Sequence, residues 1–123
     1  MKVTITGATG FIGQKLAHRL LDSNAIVAAD GSRQSITELT LLDTVPAPAA
    51  LTDDSRVRSL SGDITDSALL AEAIPGDTDS VFHLAAIVSA GAEEDFELGM
   101  AVNLDATRNI LEILRQADGT PKM

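Results

Sequence analysis

Val3-Thr4-Ile5-Thr6-Gly7-Ala8-Thr9-Gly10-Phe11-Ile12-Gly13 is the stretch on which the reading of this chain turns. The β-branched residues 3–6 predict a strand and the three evenly spaced glycines predict a tight turn. Phe11, Ile12, Leu16, Ala17, Leu20 and Leu21 predict one face of a helix running at least to Leu21, with Asp22-Ser23-Asn24 as its stop.

Each glycine has its own task in such a turn. One lets the chain leave the strand in a conformation that a Cβ would penalise, one lets the backbone approach a pyrophosphate, and one lets the helix pack closely on the sheet. The open N–H groups and dipole of the helix then face an anion, so strand, turn and helix together read as a phosphate cradle for a dinucleotide. The spacing is Gly-x-x-Gly-x-x-Gly and not the familiar Gly-x-Gly-x-x-Gly, and a purely structural glycine turn is the alternative that the neighbouring segments must decide.

Bulk properties narrow the field. The 123 residues suffice for one domain, and 45% hydrophobic content with three Phe and no Trp or Tyr predicts an aliphatic core. A net charge of −9 and a pI near 4.4 argue against nucleic acid and anionic membrane surfaces as partners. An anionic cofactor must then be held by backbone amides more than by basic side chains. Without cysteine there is no disulfide framework and no thiolate metal site. No secretory or spanning segment is read, the N-terminus enters a strand directly, and the expected compartment is the cytoplasm.

Beyond the first helix, two segments compete to be the second strand. Ala25-Ile26-Val27-Ala28-Ala29-Asp30 reads as a strand ending in an acid, or as a helical tail ending at Gly31. Ile36-Thr37-Glu38-Leu39-Thr40-Leu41-Leu42-Asp43 is richer in β formers and is stopped by Thr44-Val45-Pro46-Ala47-Pro48. The choice decides which acid can bind a ribose: the usual interval of about 20 residues after the glycine turn favours Asp30, and strand quality favours Asp43.

Residues 46–55 read as a surface loop, Arg56–Leu60 as a short strand ending at Ser61-Gly62-Asp63, and Thr65 or Asp66 as the cap of a short helix through Ile74. Ser80-Val81-Phe82-His83-Leu84-Ala85-Ala86-Ile87 is apolar nearly throughout, as a central parallel strand is, and its far end dissolves into residues 88–92. A long helical pattern follows through Phe96, Met100, Asn103, Leu104, Thr107, Ile110, Leu111 and Leu114. Strands alternating with helices predict an α/β, Rossmann-type doubly wound parallel sheet of about four strands, incomplete in this chain. In such a sheet the glycine turn, the acid after strand two, Asp63-Ile64 and Ala85 to Ser89 surround one crevice at the carboxyl ends of the strands.

Assembled in this order, Thr6-Gly7-Ala8-Thr9-Gly10-Phe11-Ile12-Gly13, Gly62-Asp63-Ile64, His83-Leu84-Ala85-Ala86 and Asn103-Leu104-Asp105-Ala106-Thr107 resemble the N-terminal part of the extended short-chain dehydrogenase/reductases, the NAD-dependent epimerase/dehydratase group. Ile87-Val88-Ser89, the acidic run Ala92 to Gly99, and the lack of proline over 84–103 look like the D-erythronate dehydrogenase branch of that group. The resemblance extends to a lengthened first unit whose second strand ends as Leu39 to Asp43 does.

The resemblance implies NAD as cofactor. Gly7, Gly10, Phe11, Ile12 and Gly13 would form the phosphate turn and Asp43 would accept from the adenosine ribose, favouring NAD over NADP because a carboxylate repels a 2′-phosphate. Asp63 and Ile64 would meet the adenine, and Leu84, Ala85, Ala86 and Ile87 would wall the nicotinamide side. Asn103 would sit on the buried face of the long helix. The family's catalytic Tyr-x-x-x-Lys pair lies beyond this chain, which has no tyrosine, and Thr120–Met123 reads as the approach to a fifth strand. Residues 1–123 are therefore expected to be the NAD-binding N-terminal part of a longer enzyme, inactive alone, and prone to self-association through its uncovered sheet edge.

His18 and His83 read as a surface and a hydrogen-bonded core histidine, Glu93, Glu94, Asp95 and Glu97 as a solvated first helical turn, and Met100 as core filling; no acid or histidine pair has metal-ligand spacing. The function so implied is oxidation of the 2-hydroxyl of a small sugar acid such as D-erythronate with NAD. A nucleotide-sugar epimerase or dehydratase and a non-catalytic NAD-binding module are the alternatives.

Overall fold

The glycine turn sits where the sequence places it, between strand β1 (Lys2–Thr6) and helix α1 (Phe11–Ser23), in a computed structural model that describes residues 1–88 and 93–123. Asn24 ends α1 in the left-handed region at φ 45°, a conformation asparagine tolerates better than most residues. A two-residue strand β2 (Ile26–Val27) then pairs antiparallel with β3 (Arg33–Gln34). The main sheet resumes with β4 (Glu38–Asp43), followed by the single-turn helix α2 (Ala49–Thr52), β5 (Val57–Ser61), α3 (Ser67–Ala73) and β6 (Ser80–His83). Helix α4 (Phe96–Met100), a π-helical turn (Ala101–Asp105) and α5 (Ala106–Arg115) form the last helical run.

Four parallel strands pair in the order β5-β4-β1-β6. The chain runs outward from β1 through β4 to β5 and then returns to the other side of β1, so the switch point lies between β1 and β6. Alternation along the strands feeds two cores. Val3, Ile5, Leu39 and Leu41 pack with Ala17, Leu20, Ile36 and Leu51 on the face covered by α1 and α2, while Leu42 and Val81 pack with Leu70, Ile74, Ala106 and Ile110 beneath α3 and α5. Each fully buried Leu or Ile contributes about 1.5–3 kcal/mol. Asp66 caps α3 by accepting from the Ala68 and Leu69 amides, and Lys122 pairs with Ser80 in the parallel sense beside β6.

Several expectations are corrected. The segment 25–30 is neither a main-sheet strand nor a helical tail. Its Ile26 and Val27 close on Arg33 and Gln34 around a turn that Gly31 makes at φ 84°, and strand quality rather than motif interval picks the second strand. Within 46–55, predicted as a loop, α2 inserts Leu51 fully into the core. The fourth strand stops at His83 and not Ile87, because β1 turns away at Gly7 and offers no ladder partner beyond Thr6, whose carbonyl takes the Leu84 amide at 3.0 Å. In the last helical run the sheet covers only the stripe of Val102, Ala106, Ile110 and Leu114. Phe96, Met100, Leu104 and Leu111, expected in the core, face outward, Phe96 at 71% exposure. Phe11 and Ile12 are likewise exposed, at 74% and 60%, where α1 overhangs the rim of the sheet, and the Phe11 ring carries Lys15 Nζ 4.4 Å above its centre. The predicted fading of the fourth strand and the Ser89 end of the crevice fall on 89–92, outside the described residues.

Candidate functional site

At the carboxyl end of β1 the three glycines separate into distinct roles. Gly7 has φ 69°, and a Cβ there would lie 2.7 Å from the Ala85 nitrogen and the Leu84 carbonyl carbon. A Cβ on Gly13 would lie 2.3 Å from the Gly7 carbonyl oxygen. Those two are required by the fold, one for the bend against the segment after β6 and one for seating α1 on the turn. A Cβ on Gly10 would meet only the Gly7 oxygen, at 3.3 Å. Its neighbours crowd a Cβ far less than those of Gly7 and Gly13, so the cradle it leaves on the crevice is space that a close-approaching ligand can use.

Hydrogen bonds from both sides hold the turn in place. The Ala8 amide donates to the Leu42 carbonyl at 3.3 Å, the Thr9 amide to Asp43 Oδ2 at 2.8 Å, and Gln14 Nε2 to the Thr9 carbonyl at 2.6 Å. Gly10 caps α1 without a side chain, so the amides of Phe11, Ile12 and Gly13 have neither a carbonyl within their helix nor a capping oxygen from residue 10. With the dipole of a 13-residue helix behind them they favour an anion.

Asp43 ends β4 beside this turn. Its Oδ2 takes the Thr9 amide and its Oδ1 takes the Thr44 amide at 2.7 Å and the Thr44 hydroxyl at 3.3 Å. Partial burial pushes the carboxyl up, but the Thr9 and Thr44 hydrogen bonds outweigh it and hold the group below its ordinary value. Asp43 is therefore an anion at neutral pH, suited to accept from hydroxyls and opposed to a further phosphate. Next along the rim, Gly62 donates to the Asp43 carbonyl at 2.9 Å, and exposed Asp63 takes the Thr65 amide and hydroxyl at 2.8 Å, which lowers its pKa.

The opposite wall is the segment after β6. Asn103, in the π-helical turn, accepts from the Ile87 amide with Oδ1 and donates to the Ile87 carbonyl with Nδ2, both at 2.9 Å. Asn103 is exposed, not buried as expected: it reaches the wall from the rim of the helix instead of from beneath it. A π-helical turn adds a residue to the helical register and is frequent beside functional sites, and here it carries this clamp.

Between the walls lies a cavity of about 540 Å³. Of the residues predicted from sequence, Gly7, Gly10, Asp43, Asp63, Ile64 and Leu84 to Ile87 line it. Gly13 lies under the turn, Asn103 behind the wall, and Phe11 and Ile12 outside the lining. Sequence reasoning missed Thr9, Thr44, Leu98 and Val102, which also line it. Thr9 and Thr44 were findable, one between two glycines of the motif and one beside its acid. Leu98 and Val102 carry no local signal, since only docking of the last helical run brings them there. Asp30, the rival ribose acid, stands by a separate cavity with Met1, Asp77 and Asp79 at the amino end of the sheet. Among the described residues no group of His, Asp or Glu is arranged to hold a metal, and no helix is long and apolar enough to cross a membrane.

Residues 3–123 match the NAD dependent epimerase/dehydratase family. The chain is 52% identical over its whole length to a D-erythronate dehydrogenase of Cupriavidus necator, covering 37% of that protein, and 47% identical over 94% of its length to one of Haemophilus influenzae, covering 34%. It therefore spans about a third of the length of these curated relatives. The crystal structure of DesIV, a dTDP-glucose 4,6-dehydratase from Streptomyces venezuelae with NAD and TYD bound, superposes with a TM-score of 0.75 at 26% identity, covering 99% of this chain and 38% of that one.

Proposed function

The chain belongs to the NAD dependent epimerase/dehydratase family, and from that premise we propose that the crevice at the carboxyl end of its sheet binds NAD as the N-terminal part of a dehydrogenase. The observation that carries the reading is the glycine turn itself: Gly7 and Gly13 are needed by the fold, whereas Gly10 leaves a cradle beside the open amides of α1. A pyrophosphate fits that donor set, and it suits a chain of net charge −9 that must bind an anion locally.

In this reading the amides of Phe11, Ile12 and Gly13 hold the pyrophosphate, with Gly10 giving it room. Asp43 accepts from the adenosine ribose and disfavours a 2′-phosphate, Asp63 and Ile64 stand at the adenine, and Ala85 to Ile87 wall the nicotinamide side. NAD supplies hydride acceptance when bound. The chain's own residues bind and orient it, and the proton transfer falls to groups outside residues 1–123. The substrate class is a small sugar acid oxidised at its 2-hydroxyl, with D-erythronate as the representative; the two relatives at 52% and 47% identity, named D-erythronate dehydrogenases, support the sugar acid and its dehydrogenation. A second reading, a nucleotide-sugar epimerase or dehydratase, is favoured by the likeness to the NAD-bound dehydratase.

Calorimetric titration with NAD and with NADP tests the cofactor reading. Binding of NAD with clear preference over NADP is expected, and a preference for NADP would remove the role given to Asp43. For the whole protein, accumulation of NADH with D-erythronate supports the dehydrogenase, while conversion of a nucleotide sugar without net NADH supports the second reading.

A further inference from the structure

We infer that His83 is a proton-sensitive pin behind the inner wall of the crevice: its neutral imidazole, with the hydrogen on Nε2, joins β1, β6 and α5 in a one-way hydrogen-bond chain that a second ring proton reverses at Thr6. The inference rests on the polarity of the contacts and not on which ligand fills the crevice.

The direction of the chain follows once the Thr107 hydroxyl spends its single hydrogen on the Asn103 carbonyl. The Thr107 hydroxyl donates to the Asn103 carbonyl at 2.9 Å, one turn back along the helix, so it has no hydrogen left for the imidazole. His83 Nε2, 3.0 Å from that hydroxyl, is then the donor. In a neutral ring Nδ1 is then the acceptor, and it lies 2.7 Å from Thr6 Oγ1, which must donate to it. Thr6 Oγ1 in turn takes the Ala85 amide at 3.4 Å. The run is Ala85 amide to Thr6 hydroxyl to His83, and His83 to Thr107 hydroxyl to Asn103 carbonyl. Both ends reach the crevice wall, Ala85 directly and Ile87 through the Asn103 side chain.

A proton added at Nδ1 leaves the Nε2 half intact and inverts the other. Thr6 must then accept from Nδ1, and its own hydrogen, fully buried with the residue, loses its acceptor. The neighbourhood offers the cation no help. The ring is faced by Thr6 from β1 and Thr107 from α5, both uncharged. Asp105 and Arg108 beside Thr107 are exposed and pair with each other at 3.3 Å. Asp43 at the end of β4 is held by Thr9 and Thr44, and Lys2 and Asp79 stand at the far ends of β1 and β6. Burial alone acts on the ring, holding it below its ordinary value, so the neutral form prevails at neutral pH.

The test is ring ¹⁵N and amide NMR of the chain from about pH 8 to about pH 5, the range in which an ordinary histidine titrates. At the upper end His83 is expected as the Nε2–H tautomer, and on acidification the Ala85 and Ile87 amides are expected to move at the His83 midpoint. His83→Gln, whose amide oxygen and NH₂ reproduce one acceptor and one donor, is expected to keep the neutral-pH positions of those amides and to abolish their pH dependence. An Nδ1–H tautomer would overturn the inference. So would Ala85 and Ile87 amides whose pH dependence departs from that of the His83 ring, or that still move with pH in His83→Gln.

Discussion

The two ends of the parallel sheet differ less in how polar they are than in whether their polar groups are already paired. At the amino end a cavity of about 470 Å³ is flanked by four acids, Asp30, Asp77, Asp79 and Asp118, the first three tied to donors of the chain itself, with the buried Thr78 hydroxyl beside them unpartnered among the described residues. Asp79 takes the Lys2 amide at 2.7 Å, Asp77 holds Lys2 Nζ at 2.6 Å, and Asp30 takes the Ser32 amide and hydroxyl. Lys122 Nζ donates to the Ala28 carbonyl at 2.8 Å and the N-terminal ammonium to the Ser35 carbonyl at 2.6 Å. At the carboxyl end the first-turn amides of α1 are left without helical carbonyls, over a glycine whose neighbours crowd a Cβ far less than those of Gly7 and Gly13 do. The two ends are thus told apart by the sign of what they present: acids, mostly paired within the chain, close the amino end to an anion, while open backbone donors at the carboxyl end suit one.

Substitutions that exchange these characters break the comparison. The largest effect is expected from Gly13→Ala, whose Cβ would lie 2.3 Å from backbone oxygen that cannot yield. A loss of about 3 kcal/mol in denaturant unfolding follows from forcing atoms into that contact. At the amino end Gly76→Ala would place its Cβ 3.6 Å from a side-chain oxygen of Asp118 and is expected to stay within about 0.5 kcal/mol. Equal losses at both glycines would refute the distinction.

Next comes Asp43→Ala. Removing the partner of the Thr9 and Thr44 amides and the ribose acceptor is expected to weaken NAD by about 2 kcal/mol, about 30-fold in Kd by calorimetry, and to relax the preference over NADP. Asp30→Asn, at the closed end, is expected to leave that Kd within about twofold. Gly10→Ala sharpens the contrast further, since its Cβ would ask the Gly7 oxygen to give by only a few tenths of an ångström. NAD affinity is expected to fall about tenfold while stability changes by less than about 1 kcal/mol, so a variant that unfolds instead would show the glycine to be structural.

The smallest effect is in pH. His83 has its folded-state value lowered by burial, so its contribution is fully present above the ordinary histidine value of about 6.5. That stability is lost as pH falls below it, where the unfolded chain binds the proton first, and levels off below the folded value. Chemical denaturation across that window is expected to show the decline, and to show less of it in His83→Gln.

Much of the site was legible because it is local. Strand, glycine turn and helix lie within residues 2–23, and Asp43 is the last residue of the strand paired with β1. What stayed hidden depends on non-local pairing. Asp30 satisfied the motif interval, yet the hairpin of β2 and β3 turns its segment to the opposite end of the sheet. The extent of the fourth strand depended on where β1 bends away, and its own apolar run carries no sign of that. Periodicity drew one pattern through Phe96, Met100, Leu104, Ile110, Leu111 and Leu114 without saying which of these the sheet would cover, and the π-helical turn that brings Asn103 to Ile87 has no signature in residue type.

A backbone amide map recorded while NAD is titrated into the chain tests the central claim most directly. Saturable shifts are expected at residues 10–13, at Thr9 and Thr44 beside Asp43, and at Ala85 to Ile87, with residues 28–34 and 76–79 unmoved. Shifts at the amino end, or a glycine turn that stays still while NAD binds, would contradict the account.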